Sequence, residues 1–245
     1  MSTGSGCDAI AQMEKWKTEL MAETERLVLD EFPRRVLHLN ELLENGIFKA
    51  TRLGEIAEPV HVEPYGERSF EKNCEALDDL YNEGGRAGLN FVFAFRGGVI
   101  ASNKKLAHLI SIVKPLLREA VEDVTKVRMW IVFLMPRVED GNNFGVAIQE
   151  DILSEVRTVE VEVATFLDNI THYLLQRGYM VCSYAKKPHI EDFKYSIGDL
   201  DEQEFITIRL IVTELRNHYS NLHDVIAKNL EKLKLPRPVV VDHLY

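Results

Sequence analysis

The chain has 245 residues, 46% of them hydrophobic and 28% charged, with a formal net charge of −10, the balance of a folded, helix-rich protein able to bury a sizeable core. An acidic chain without a basic stripe is a poor match for phosphate backbones, so nucleic acid is not expected as a partner. No apolar run nears the roughly 18–20 residues that cross a bilayer, and the most apolar stretch, Met129 to Met135, is too short, so no membrane partner is expected.

Apolar residues three or four apart mark four helical segments. The first runs from about Asp8 to Glu44 through Met13, Leu20, Leu27, Leu39 and Leu43, with Pro33 predicting a kink or break. From Gly46 to about Ser102 this periodicity fades. Eight of the fourteen glycines fall there, with Pro59 and Pro64, and the stretch reads as a long irregular connection with a short extended pair around Arg96-Gly97-Gly98.

A second helix is predicted from about Asn103 to Met135, through Leu106, Leu109, Val113, Leu117, Val121, Val124, Val127, Ile131 and Leu134. Ser102 and Asn103 offer an N-cap, Pro115 predicts a further kink or break, and Pro136 marks the stop. "RVEDGNNFGV", Arg137 to Val146, links it to a third helix, about Val146 to Cys182. The fourth helix is predicted from about Asp201 to Lys234, where "DLDEQEF" places acids in a first turn, and it stops before Pro236. Long amphipathic helices with short connections after the second and third are best satisfied by an all-α four-helix bundle, one domain over residues 1–245.

The chemistry-bearing residues read quietly. Cys7, Cys74 and Cys182 are scattered and form neither a disulfide framework nor a CxxC clip, which points to a reducing, intracellular compartment. The N-terminus "MSTGSGCDAIAQMEKW" lacks the layout of a signal peptide. His218 and His223 stand five apart rather than four, and no HExxH, Walker or GxSxG pattern occurs. "EDGNN" lacks the alternating acids and closing Glu of a calcium loop. Glu119, Glu122 and Asp123 read as a solvated helix face. No active site, metal or cofactor is expected. On the residues alone, the Arg137–Val146 stretch is a plain turn between two helices.

A resemblance changes that reading. "MPRVEDGNNFGVAIQE" closely resembles the activation loop of the 11S proteasome activators, the REG family. "ERLVLDEFPRRVLHLNELL", "SNKKLAHLISIVKPLLREAVEDVTKVRMWIVFLMPR", "EVRTVEVEVATFLDNITHYLL" and "KKPHIEDFKYSIGDLDEQEFITIRLIVTELRNHYSNLHDVIAKNLEKLKLPRP" are similar to the family's first, second, third and fourth helices with their junctions, in order. Within the family the chain leans toward the gamma type, through "RTVEVEVATFLD", "ELRNHYSNLHDVIAKNLEKLK" and the final Leu-Tyr. That type is a nuclear homo-oligomer, although its basic import cluster has no counterpart between Gly46 and Gly98, which leaves the cytoplasm as the alternative.

The resemblance implies a homoheptameric ring of four-helix bundles around a central channel, capping the 20S proteasome α-ring and opening its gate without ATP for peptide and unfolded-protein substrates. The protein would be a regulator of a protease and not an enzyme. After Pro236 and Pro238, which favour an extended chain, the tail would dock in pockets of the α-ring through the Tyr245 carboxylate, with Val241, His243 and Leu244 as neighbouring contacts. The loop Arg137, Val138, Glu139, Asp140, Gly141, Asn142, Asn143, Phe144 and Gly145 would push on the turns that hold the gate shut. Gly141 and Gly145 could supply positive φ and Asn142 or Asn143 could tolerate it, while Arg137, Glu139 and Asp140 would brace the loop or touch the proteasome. The competing readings are a helical adaptor that never engages the proteasome and, from another class, a hydrolase with an unrecognised site.

Overall fold

A computed structural model describes residues 4–49, 53–58, 60, 100–187 and 189–237. The extended pair expected around Arg96 and the docking residues Val241, His243, Leu244 and Tyr245 lie outside the described residues.

The first helical rod is made of α1 (Gly4–Arg26), a π-helical turn (Leu27–Glu31) and α2 (Phe32–Glu44). Pro33 accounts for the middle piece. A proline lacks the N–H for an i−4 bond and crowds the carbonyl four residues back, and a wider turn immediately before it absorbs the misfit. Phe32 N–H donates to the Leu27 carbonyl, five residues back. The rod bends its register without ending, and Val28 and Phe32 are fully buried across the transition.

A single-turn helix, α3 (Leu53–Ile56), precedes α4 (Lys104–Leu134). Asn103 caps α4, its Oδ1 accepting from the backbone N–H of Lys105 and of Leu106, each at 3.1 Å. Pro115 does not break this helix. It and Ser111, whose carbonyl loses its partner, lie on the exposed face, where water can satisfy the freed group.

The two longest helices are α5 (Phe144–Lys186) and α6 (Glu191–Lys234). The expected start of the fourth helix near Asp201 is therefore ten residues late. Glu191 and Asp192 supply the acidic first turn, and Gly198, which weakens the helical pattern locally, lies inside the helix. Asp201 itself is buried, so an acid that resembles a helix start is a core residue.

Short connections make α4, α5 and α6 run alternately up and down. The first rod packs along α4 and α6, with Trp16 edge-on to Phe133 at 6.0 Å and Phe32 edge-on to Tyr219 at 4.8 Å. One core runs the length of the bundle, its largest fully buried side chains being Trp130, Phe32, Phe48 and Phe205. Among the described residues there is no strand, and no helix is long and apolar enough to cross a membrane.

Candidate functional site

One end of the bundle gathers the C-terminus of α4, the N-terminus of α5 and the C-terminus of α6. Met135 closes α4 with extended geometry (φ −67°, ψ 127°). The chain then reverses through two consecutive left-handed residues, Gly141 (φ +86°) and Asn142 (φ +39°). Glycine adopts this region without strain and asparagine is among the few side chains that tolerate it. Asn143 stands at the start of α5, its carbonyl accepting from Ala147 N–H at 2.9 Å.

Gly145 has a different part from the one expected of it. With Phe144 it falls in the first turn of α5, and it is buried there without a positive φ. What matters is its missing Cβ: one added there would meet the Pro236 carbonyl oxygen at 2.1 Å. The root of the C-terminal tail lies directly on this glycine.

Arg237, the next residue, faces the loop. Its Nη1 donates to the Arg137 carbonyl at 2.8 Å and pairs with Glu139 Oε2 at 3.1 Å, and its Nη2 donates to Asn143 Oδ1 at 3.0 Å. Asn143 Nδ2 in turn donates to the Glu139 carbonyl at 3.4 Å. A planar guanidinium fork can satisfy several fixed acceptors at once, which an ammonium cannot do with the same geometry. Beneath them, fully buried Gln149 on α5 donates through Nε2 to the Leu134 carbonyl at 3.1 Å and the Leu233 carbonyl at 2.7 Å. One amide thus ties together the last turns of α4 and α6, where carbonyls lack helical partners.

With its base fixed, the loop presents its other groups outward. Arg137, Glu139, Asp140, Gly141, Asn142 and Asn143 are exposed, Val138 is wholly so, and Phe144 is 70% exposed with the Lys232 ammonium 5.1 Å from its ring centre. Among the sequence-predicted residues, Glu139 and Asn143 brace the loop, Arg137 does so through its carbonyl, and Asp140 projects outward. Arg237 and Gln149 were missed. Each carried a weak signal: an arginine between two prolines just past a helix, and a glutamine on an otherwise apolar helix register.

Two buried charge networks stabilise the bundle behind this end. Asp123, expected on a solvated face, is 4% exposed. It continues the inward stripe of Ala120, Val124 and Val127, accepts from Tyr219 Oη at 2.9 Å and pairs with Arg35 Nε at 3.0 Å. Burial raises its pKa, with Arg35 opposing. At the opposite end from the loop, fully buried Asp201 accepts from Tyr173 Oη (2.9 Å), Arg177 Nε (2.8 Å) and Asn103 Nδ2 (2.9 Å). Asn103 Nδ2 also donates to the Ile56 carbonyl at 2.7 Å, tying α3 to the start of α4.

Comparison with known proteins gives this arrangement its relatives. Two family models match: proteasome activator PA28, N-terminal, over residues 8–62, and proteasome activator PA28, C-terminal, over residues 99–243. Proteasome activator complex subunit 3 of Homo sapiens is 37% identical over 243 residues, covering 96% of this chain and 95% of that protein. The Gallus gallus subunit 3 is 36% identical over 241 residues with the same coverage. Among solved structures, the fold is similar to the 11S subunit of the Plasmodium falciparum proteasome, PA28, with a TM-score of 0.74 at 23% identity over 97% of both chains. It is also similar in fold to a chain of the yeast 20S proteasome complex with the activator PA26, with a TM-score of 0.58 at 16% identity, covering 95% of this chain and 98% of that one. The helices, their order and matches that reach from one end of the chain to the other agree: this chain belongs to the PA28 proteasome activator family.

Proposed function

We propose that this protein is an ATP-independent activator of the 20S proteasome, a regulator without catalytic chemistry of its own. Its tail, through Val241, His243, Leu244 and the Tyr245 carboxylate, docks on the proteasome α-ring, and the loop Arg137 to Gly145 opens the gate. The chain works as a homoheptameric ring, seven copies of 28.1 kDa giving about 200 kDa, whose channel passes peptides and unfolded proteins. Its compartment is the nucleus, as for the gamma type, with the cytoplasm as the alternative.

The observation that carries this reading is the placement of a rigidly braced loop and the tail root on one end of the bundle, joined by Arg237. A tail that docks there brings the loop to the same surface. Seven linked tails, each weak, bind tightly through effective concentration. Gate opening then needs only that the ring bind the open state better than the closed one; a hundredfold preference is about 2.7 kcal/mol.

The test is fluorogenic peptide hydrolysis by latent 20S proteasome, comparing the full chain, a version lacking Tyr245, and an Asn142→Ala/Asn143→Ala double variant. The expected result is strong stimulation by the full chain, none by either variant, and docking kept only by the loop variant. A folded, ring-forming full chain that stimulates nothing would overturn the proposal.

A further inference from the structure

We infer that Arg237 is the positioning residue of the activation loop, a clasp through which the root of the docking tail sets the loop's working shape. The inference deepens the gate-opening reading above and rests on it for its functional consequence.

The clasp is built from three acceptors spread along the loop. The guanidinium takes the carbonyl of Arg137 at the loop's start, the carboxylate of Glu139 in its first half and the side-chain oxygen of Asn143 at its end. These residues span the left-handed pair Gly141–Asn142, so one side chain from a different segment closes the loop across its base. The Arg237 side chain is 19% exposed, against 63% for Glu139, which makes it the shielded member of the pair, where charge-assisted bonds keep more of their strength than on an open surface.

Two neighbours fix the arginine in turn. Pro236 presses its backbone onto Gly145, leaving no room for a Cβ, and Gln149 holds the α6 C-terminus at Leu233 to the α4 C-terminus at Leu134. Pro236 and Arg237 are therefore held in place at this end of the bundle, with Arg237 turned to the loop. A pull or rotation of the tail on docking is transmitted to the loop through these bonds, and a loop displaced by its target is felt at the tail root. Coupling of this kind is reciprocal.

The experiment uses the full-length assembled protein with Arg237→Ala and Arg237→Lys. Two readouts are taken: amide hydrogen exchange across residues 137–145 without proteasome, and peptide hydrolysis titrated to saturation with 20S proteasome. For Arg237→Ala, exchange in the loop rises about tenfold or more while the helices stay protected. Maximal stimulation falls by about tenfold, while the half-saturating concentration stays within about twofold. Arg237→Lys is intermediate, since an ammonium keeps the pair with Glu139 but cannot span all three acceptors.

Unchanged loop exchange in Arg237→Ala would overturn the clasp. So would full maximal stimulation by a variant whose loop exchanges fast, because the loop's order would then not matter. If the unaltered protein itself stimulates nothing, the gate-opening reading fails separately, and the exchange data alone decide whether Arg237 orders the loop.

Discussion

A Cβ placed on Gly145 would lie 2.1 Å from the carbonyl oxygen of Pro236 and 2.7 Å from its carbonyl carbon. The obstacle is backbone rather than a side chain that could swing away, so the first turn of α5 and the tail root must separate if the glycine is replaced. Gly145→Ala is expected to cost about 1–3 kcal/mol, as overpacking does. It should also lower maximal proteasome stimulation while the helical circular dichroism spectrum persists. Thermal melts and saturating peptide assays check this; an alanine variant with wild-type stimulation would mean that the close approach has no functional weight.

Gln149→Leu keeps the volume but removes the donor shared by the Leu134 and Leu233 carbonyls. Two helix-end acceptors lose their partner inside the protein, and a loss of about 1–3 kcal/mol is expected in urea unfolding. Because the lost bonds hold the loop end together, proteolysis in the Arg137–Asn143 loop should quicken more than elsewhere. Uniform quickening along the chain would count against a local role.

Asp201 is the acceptor for Tyr173, Arg177 and Asn103 and is fully buried. Asp201→Ala strands the Arg177 guanidinium, itself 6% exposed, without its counter-charge, and removal of one partner of a buried pair costs about 3–5 kcal/mol. Tyr173→Phe removes one neutral donor and should cost nearer about 1 kcal/mol. Equal losses in the two variants, measured by chemical denaturation, would contradict the charge-centred account.

Glu204, one turn beyond Asp201, is 6% exposed. Burial first, and the Asp201 carboxylate second, push its pKa up to about 7 from 4.5. Tyr173, hydrogen-bonded to Asp201, also lies near enough to feel its charge. An acid with a higher pKa folded than unfolded binds its proton more tightly in the native state. Its contribution is therefore fully present below about 4.5 and is lost as pH rises through about 7. Glu204→Gln removes that titration and should stabilise the protein by about 1–3 kcal/mol at about pH 8, since each tenfold change in proton affinity is worth about 1.36 kcal/mol. The advantage should vanish below about pH 4.5. Parallel stability–pH curves for the two proteins would refute it.

The helices were legible because burial of a helix face writes a period of three to four residues into the chain, as in Leu106, Leu109, Val113, Leu117 and Val127. The turn at Gly141–Asn142 was legible for an equally local reason: φ itself limits which residues can stand there. Asp123 and Asp201 were not. An acid signals a solvated face or a helix start only on average, and what decides is whether another segment brings Arg35, Arg177 or a tyrosine to meet it.

The sequence by itself determined an all-helical chain, where most helices lie, and a tight turn at Gly141–Asn142, since propensity, periodicity and turn geometry act within a few neighbouring residues. Only the tertiary structure decided why Gly145 must lack a side chain, what Gln149 joins, and that Arg237 closes the loop from about a hundred residues away in the sequence. Those are contacts between segments distant in the chain, and their energies exist only once α4, α5 and α6 have been brought to the same end of the bundle.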